Sequence, residues 1–142
     1  MPNAAPSTVP IPAAVRAFLE DTRYAVLGTI NPDGSAHQTV TWYLIEGDEV
    51  VVNGKEGRRW TNNLRRDPRL SFAVEAGADW LQLRGAVVIV DEPAQALADI
   101  SAMARRYDDD GTADQDIETF RSQQRVSFRL RPATIHAELE GD

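Results

Sequence analysis

Residues 24–54 read YAVLGTINPDGSAHQTVTWYLIEGDEVVVNG, and they carry the clearest indication of the fold class. Runs rich in β-branched and aromatic residues cover 24–30, 35–48 and 49–54, with the turn signals NPDG after the first run and EGD closing the second. Such runs joined by short turns predict three consecutive antiparallel strands, a meander. In the second run, alternation predicts one face with Val40, Trp42 and Leu44 and another with Thr39, Thr41 and Tyr43.

Outward from this stretch, the pattern predicts further strands. RLSFAVEAG (69–77) and DWLQLRGAVVIVDE (79–92) form a second hairpin, with Gly85 as a candidate bulge. RVSFRLRPATIHAELE (125–140) forms one closing strand, in which Val126, Phe128 and Leu130 are expected to face inward and Arg125, Arg129 and Arg131 outward. Residues 108–116 are an exposed acidic loop.

Helices are predicted over 12–21, 92–107 and 117–124, and over a short segment between Gly57 and the Asp67–Pro68 pair. Without βαβ alternation or a GxGxxG motif, the fold class is mainly β: a small antiparallel barrel of six or seven strands with a few short helices. Residues 1–10 are expected to be a disordered tail and 11–142 a single domain.

Composition narrows the function classes. The 142-residue chain has a formal net charge of −7, no cysteine and two histidines. It therefore lacks disulfides and thiolate metal sites, and no metal site is expected. The acidic balance disfavours nucleic-acid partners. No apolar run reaches the roughly 18–20 residues that span a bilayer, and no signal peptide is recognisable, so we expect a cytoplasmic protein away from membranes.

The basic residues cluster around GRRWTNNLRRDPRLSF, residues 57–72. Six of the fifteen lie between positions 55 and 69: Lys55, Arg58, Arg59, Arg65, Arg66 and Arg69. Arg58 and Arg59 fall in the first helical turn, where cations oppose the helix dipole and a bound anion would reverse the cost. We therefore predict an anion site there. Arg65 and Arg66 fall in the last turn, where cations complement the dipole.

Other polar and aromatic residues near the cluster allow two interpretations. Asn62 and Asn63 either cap the chain locally or bind a ring edge, and Asn53 is a turn residue or a ligand residue. Gln38 and the hydroxyls of Thr39 and Thr41 are candidate ligand residues only because they lie beside the basic helix. We expect Trp42, Trp60 and Trp80 to pack in the hydrophobic core. Stacking on a ligand is the alternative role for these side chains.

Residues 27–75 resemble the first half of the pyridoxamine 5′-phosphate oxidase-like split β-barrel proteins. The residues that carry the resemblance are the INPDG turn, VTWY, VVVN and NLRRDPR. Within that superfamily the chain is most similar to the actinobacterial flavin/deazaflavin oxidoreductase branch that uses coenzyme F420. The resemblance covers about residues 14–91 and extends more weakly into RVSFRLRPATIHA. It implies a split barrel of the FMN-binding type.

The resemblance also implies a site between two subunits. The cofactor would lie against the strand from Gln38 to Thr41 and the strand ending at Asn53, with its phosphate at Lys55, Arg58, Arg59 and the first helical turn. The full set of implied cofactor-binding residues is Gln38, Thr39, Val40, Thr41, Asn53, Lys55, Arg58, Arg59, Trp60, Asn63 and Trp80. Many relatives have Lys where this chain has Trp60, which removes one phosphate ligand. No catalytic side chain is assigned.

The function that the resemblance implies is an F420-dependent oxidoreductase, which transfers a hydride between the reduced deazaflavin and a small electrophilic acceptor. The alternatives are an FMN-dependent oxidoreductase and a non-catalytic carrier of F420, flavin or haem. We expect a homodimer, because Trp42, Tyr43 and Leu44 place apolar surface on both sides of one strand.

Overall fold

The computed structural model describes residues 7–108 and 110–140. Within these residues, eight strands and four helices follow one another in the order α1 (Ala13–Glu20), β1 (Ala25–Ile30), β2 (Ala36–Thr41), β3 (Leu44–Glu46), β4 (Glu49–Lys55), α2 (Arg59–Arg66), β5 (Arg69–Ala76), β6 (Asp79–Val90), α3 (Pro93–Tyr107), α4 (Ala113–Arg121), β7 (Arg125–Leu130) and β8 (Thr134–Glu138). The mainly β fold class is confirmed. Of the predicted tail, residues 1–6 lie outside the described part, and Val9 donates a backbone hydrogen bond to the Pro132 carbonyl at 2.9 Å.

All strand pairs are antiparallel, and the strands form a curled sheet in the order β2-β1-β5-β6-β7-β4-β3, with β8 also paired to β6. The long strand β6 joins the two halves, since its first part pairs with β8 and its last part with β7. Strands β2 and β3 are the two ends of this order, and among the described strands β8 pairs with β6 alone. No helix among the described residues is long and apolar enough to cross a membrane.

The predicted strand 35–48 is wrong as a single element. It breaks at Trp42–Tyr43 into β2, which pairs with β1, and β3, which pairs with β4, so the expected meander is divided between the two halves of the sheet. The predicted alternation does not continue through the break, because Val40 is 64% exposed whereas Trp42 and Leu44 pack against a core cluster, and Tyr43 is fully buried. The break turns the Tyr43 ring inward, where its hydroxyl donates to the Leu19 carbonyl at 2.8 Å.

Three further predictions need correction. Gly85 is not a bulge, because the β5–β6 register is continuous through it. The absence of a side chain at Gly85 instead leaves room for the segment between β7 and β8, since a Cβ at this position would lie only 3.1 Å from the Ala133 backbone nitrogen. The closing strand 125–140 breaks at Pro132 into β7 and β8. Helix α4 begins at Ala113, within the segment expected to be a loop.

Helix α3 is fastened to the α1–β1 connection by a polar and aromatic cluster. Arg106 donates to the carbonyls of Leu19 and Asp21 at 2.8 and 3.0 Å, and its guanidinium lies 4.9 Å from the centre of the Tyr43 ring. The Tyr107 hydroxyl donates to the Arg23 carbonyl, and the Tyr107 ring stacks on Trp42. These contacts hold α3 over β4, where it forms one wall of a groove. The groove lies in the split of the sheet, which is the gap between β2 and β4, two strands that do not pair with each other.

Burial, with a smaller contribution from Tyr107, raises the pKa of Tyr43 to about 12. Between pH 10 and 12 the unfolded chain loses this proton while the folded chain keeps it, so the free energy of unfolding falls as the pH rises, by up to about 1.4 kcal/mol per pH unit. Below pH 10 the contribution is fully present. We expect Tyr43→Phe to reduce this alkaline slope in urea unfolding measured at pH 8, 10 and 11. An unchanged slope in the variant would show that another group causes it.

Candidate functional site

The edge of β2 faces the end of β4 across the split of the sheet. Because β2 has only β1 as a neighbour, one side of its backbone is left unpaired by the sheet. A cavity of about 260 Å³ lies in this split, lined by Thr39, Val40, Thr41, Asn53, Gly54, Lys55, Arg58, Trp60 and Arg125. Most of the predicted cofactor-binding residues are therefore brought together at one place.

Helix α2 begins beside this cavity. Gly57 has a φ of +89°, which allows the sharp turn from β4 into the helix. Arg58 precedes the first helical residue, no side chain caps this end, and no acidic residue lies in the first turn. The backbone donors and the guanidinium of Arg58 thus favour an anion at the same point. Arg59 is exposed and is not among the residues that line this cavity. The pKa of Asp33 in the β1–β2 turn is lowered chiefly by hydrogen bonds from Ser35 and, to a smaller extent, by the charge of Arg59.

The last turn of α2 has the structural role predicted for it. Arg65 forms salt bridges with Glu56 at 3.0 Å and Asp91 at 2.6 Å. Arg66 donates to the Ile30 carbonyl and, at 3.2 Å, to Asn63 Oδ1. Both guanidinium groups are therefore bound to other parts of the chain.

Trp60 is a core anchor. Its side chain is 8% exposed, its ring centre lies 5.6 Å from that of Phe128, and the indole covers Gly54 so closely that a Cβ there would lie 2.3 Å from Trp60 Cζ2. One edge of the indole still contributes to the cavity wall. The position therefore contributes packing and no charge.

Gly54→Ala is expected to destabilise the protein by about 1–3 kcal/mol, because the added methyl group overpacks the contact with Trp60 and Thr61. Chemical unfolding of the two proteins measures this difference. Gly28→Ala is the matched control in another strand, since its Cβ would meet Ser71 Cβ only at 3.3 Å. Equal losses in the two variants would contradict the close packing of Trp60 on Gly54.

Asn53 is buried, and both the nitrogen and the oxygen of its amide form hydrogen bonds. Its Nδ2 donates to the Ala96 carbonyl and to Ser127 Oγ, both at 2.9 Å, and its Oδ1 accepts a 2.8 Å hydrogen bond from Arg125 Nε. Ser127 Oγ in turn donates to Asp99 Oδ2 at 2.7 Å. Asn53 therefore connects α3 and β7 to the cavity, and its contribution to a ligand site is to hold Arg125.

Arg125 is the cavity residue that the sequence interpretation missed. It was expected to point outward from the closing strand, but it is half-buried and faces the cavity from β7, directly opposite Lys55 in the β4–β7 register. No local sequence pattern predicts this position for Arg125, because only the pairing of two distant strands brings Arg125 and Lys55 together.

Some predicted site residues lie elsewhere. Gln38 faces the outer side of the sheet, in a shallow groove with Gly28, Ser71 and His136. Asn63 is buried against β1, where its amide donates to Thr29 Oγ1 and Asn31 Oδ1, both at 3.1 Å. Trp80 is 37% exposed at the far end of β6, beside the His136 ring.

A second cavity, of about 320 Å³, adjoins the first and shares Val40, Thr41, Asn53 and Arg125 with it. Its remaining wall is apolar and aromatic: Tyr24, Trp42, Ile100 and Phe120. The groove therefore has a cationic end at the start of α2 and an aromatic end under α3 and α4. Such a division suits a ligand with a planar ring system and an anionic tail.

Comparisons with solved structures agree with this fold. The chain is similar to a conserved hypothetical protein from Mycobacterium tuberculosis, with 27% identity, a TM-score of 0.74, and 95% of this chain and 88% of that chain covered. It is also similar to an F420 reductase, at 23% identity and a TM-score of 0.71, covering 89% and 98% of the two chains.

A third similar structure is the haem storage protein HutZ from Vibrio cholerae, at 17% identity and a TM-score of 0.68, covering 90% and 94%. At their identities, the F420 reductase and HutZ support the fold alone. None of the curated proteins matches the chain. A sequence profile described as pyridoxamine 5′-phosphate oxidase matches residues 11–138. The chain is therefore a member of the pyridoxamine 5′-phosphate oxidase family.

Proposed function

We propose that this protein is an F420-dependent oxidoreductase, which transfers a hydride between the reduced deazaflavin and a small electrophilic acceptor. The observation that carries the proposal is the cationic end of the groove. Lys55, Arg58 and Arg125 line one cavity at the start of α2, and no carboxylate is among the described residues that line it. A phosphate group offers the complementary charge, and arginine binds phosphate oxygens in pairs.

The residues present fit a phosphorylated flavin-type group. Lys55, Arg58 and the first turn of α2 would hold the phosphate. The hydroxyls of Thr39 and Thr41 and the unpaired edge of β2 would bind the polar rim of the ring system. The aromatic cavity beside them would exclude water from the face of the ring.

When bound, a reduced deazaflavin supplies the hydride, and its carbon in place of the reactive flavin nitrogen makes it react poorly with oxygen. The protein itself would bind the cofactor, orient it toward the acceptor and provide the electrostatic environment. Among the described residues that line the two cavities there is no histidine, aspartate or glutamate to act as a proton donor. The choice of F420 over FMN is supported by the resemblance to the F420-using branch and by a fold shared with an F420 reductase.

We further propose that the protein acts as a homodimer with the groove at the subunit interface. The residues first expected to drive association do not, because Tyr43 is fully buried and Trp42 and Leu44 pack against a core cluster with Val51. Exposed apolar side chains occur instead at Tyr24, Val26, Val40 and Trp80. Val26 and Val40 are directly paired between β1 and β2, beside the groove. Sedimentation at micromolar concentration should give a dimer, and a monomer would remove the two-chain site.

A turnover experiment tests the proposed activity. The purified protein receives reduced F420 in air, first without an acceptor and then with an enone or a quinone, while the absorbance of the oxidised deazaflavin is followed. We expect the cofactor to stay reduced until the acceptor is added. Stoichiometric FMN that co-purifies and turns over would favour the FMN-dependent enzyme instead. Tight F420 binding without turnover on any acceptor would favour a carrier.

A further inference from the structure

Arg125 is held in place by neutral groups. Its Nε donates to Asn53 Oδ1 at 2.8 Å, and its Nη1 donates to Gln123 Oε1 at 2.6 Å. The guanidinium lies 4.7 Å from the centre of the Phe120 ring. These contacts fix the orientation of the side chain, and none of them supplies a negative charge.

Arg125 also has two cationic side chains as neighbours. Lys55 lies directly across from Arg125 in the sheet, and Arg58 lines the same cavity. Like charges directly opposite in a sheet destabilise the pairing. Burial, with a smaller contribution from Arg58, lowers the pKa of Arg125 to about 10, so the group stays charged at neutral pH in an unfavourable environment.

Arg129, on the same strand, is an arginine whose charge is paired with a carboxylate. Further along β7 from the half-buried Arg125, Arg129 forms a 2.9 Å salt bridge with Glu46. Among the salt bridges of the described residues, none involves Arg125, Lys55 or Arg58. A ligand that brings negative charge would offset the cost of gathering these three cations.

We propose that Arg125 binds the phosphate of the ligand, as a third cation that approaches from β7, opposite the start of α2. Asn53 and Gln123 act as positioning residues, because they orient the guanidinium and leave Nη2 without a contact to either amide. This role rests on the proposed function for the identity of the ligand, but the site requires only a phosphate group.

The experiment compares wild type with Arg125→Gln, Arg125→Lys and a charge-matched control, Arg121→Gln. Arg121 lies on α4, is exposed and forms a salt bridge with Glu118, so its removal changes the net charge equally outside the two cavities of the groove. Two measurements are made on each protein. One is the dissociation constant for F420, and the other is the shift in thermal midpoint that millimolar inorganic phosphate causes in the ligand-free protein.

We expect Arg125→Gln to weaken F420 binding at least tenfold and to abolish most of the shift caused by phosphate. Arg125→Lys keeps the charge without the two amide contacts and should fall between, while Arg121→Gln should match wild type. Binding of F420 to Arg125→Gln within threefold of wild type would overturn the role of Arg125 and leave the proposed function standing. If F420 fails to bind wild type but phosphate still stabilises it, and does so through Arg125, the cofactor assignment fails while the anion site stands. Absence of both effects in wild type would overturn both.

Discussion

Replacing Arg58 and Arg59 together by Ala is expected to weaken binding of the phosphorylated cofactor at least tenfold, about 1.4 kcal/mol of binding free energy. A charge-assisted hydrogen bond to a phosphate contributes about 1.5–3 kcal/mol. Arg58 lines the cavity, and Arg59 is the first residue of a helix that has no acidic residue in its first turn. Since Arg58 lines the cavity and Arg59 does not, the single variant Arg58→Ala should show the larger part of the loss. Fluorescence titration of each variant measures it.

The control for this prediction is the double variant Arg65→Ala and Arg66→Ala. It removes the same charge from the same helix, but from side chains bound to Glu56, Asp91 and the Ile30 carbonyl. We expect lower stability with cofactor affinity within threefold of wild type. If this second pair proves more damaging to binding than the first, the anion does not lie at the start of α2.

Asn53→Ala is expected to lower the free energy of unfolding by about 2–4 kcal/mol, because it leaves buried hydrogen-bonding groups without partners. The Ala96 carbonyl and Arg125 Nε both lose a hydrogen bond with the amide. The same variant should weaken cofactor binding, since the side chain that orients Arg125 is gone. Urea unfolding and cofactor titration on one preparation measure both effects.

Asn62→Ala is the matched control, because the amide of Asn62 is exposed and makes only a 3.4 Å contact with the Gly57 carbonyl. Its stability should change by less than about 0.5 kcal/mol. A loss below about 1 kcal/mol for Asn53→Ala would show that the network from Asp99 through Ser127 and Asn53 to Arg125 contributes little to the fold.

Local signals were enough for several elements. The first hairpin follows from NPDG, where Gly34 has a φ of +88°. Helix α2 follows from Gly57 before it, Pro68 after it, and the apolar pair Trp60 and Leu64, which are both buried. Each of these features depends on residues within a few positions of one another, so the sequence predicts them without knowledge of the rest of the fold.

Other elements depend on contacts that the sequence pattern does not contain. The break at Trp42–Tyr43 arises because the Tyr43 ring packs against Phe72 and its hydroxyl donates to the Leu19 carbonyl of α1. The break at Pro132, by contrast, had a local signal, since a proline lacks the donor that a continuous strand needs. Helix α4 also had one, because Asp114 and Asp116 in its first turn favour the helix dipole.

The candidate site divides in the same way. The cations of the α2 segment were predicted because they lie close together in sequence. Arg125 was not, because its place beside Lys55 is set by the register between β4 and β7. Asn53 was predicted as a ligand residue, whereas its hydrogen bonds assign it to the support of Arg125. Tertiary pairing therefore decides which polar residues face a ligand and which hold the residues that do.

We propose that the groove of Lys55, Arg58 and Arg125 beside the edge of β2 binds a phosphorylated deazaflavin. A side-by-side titration of the purified protein with F420 and FMN, followed by fluorescence quenching at equilibrium, measures this binding. The expected result is saturable binding of one F420 per chain, at least tenfold tighter than FMN. Tighter binding of FMN, or no saturable binding of either compound, would contradict it.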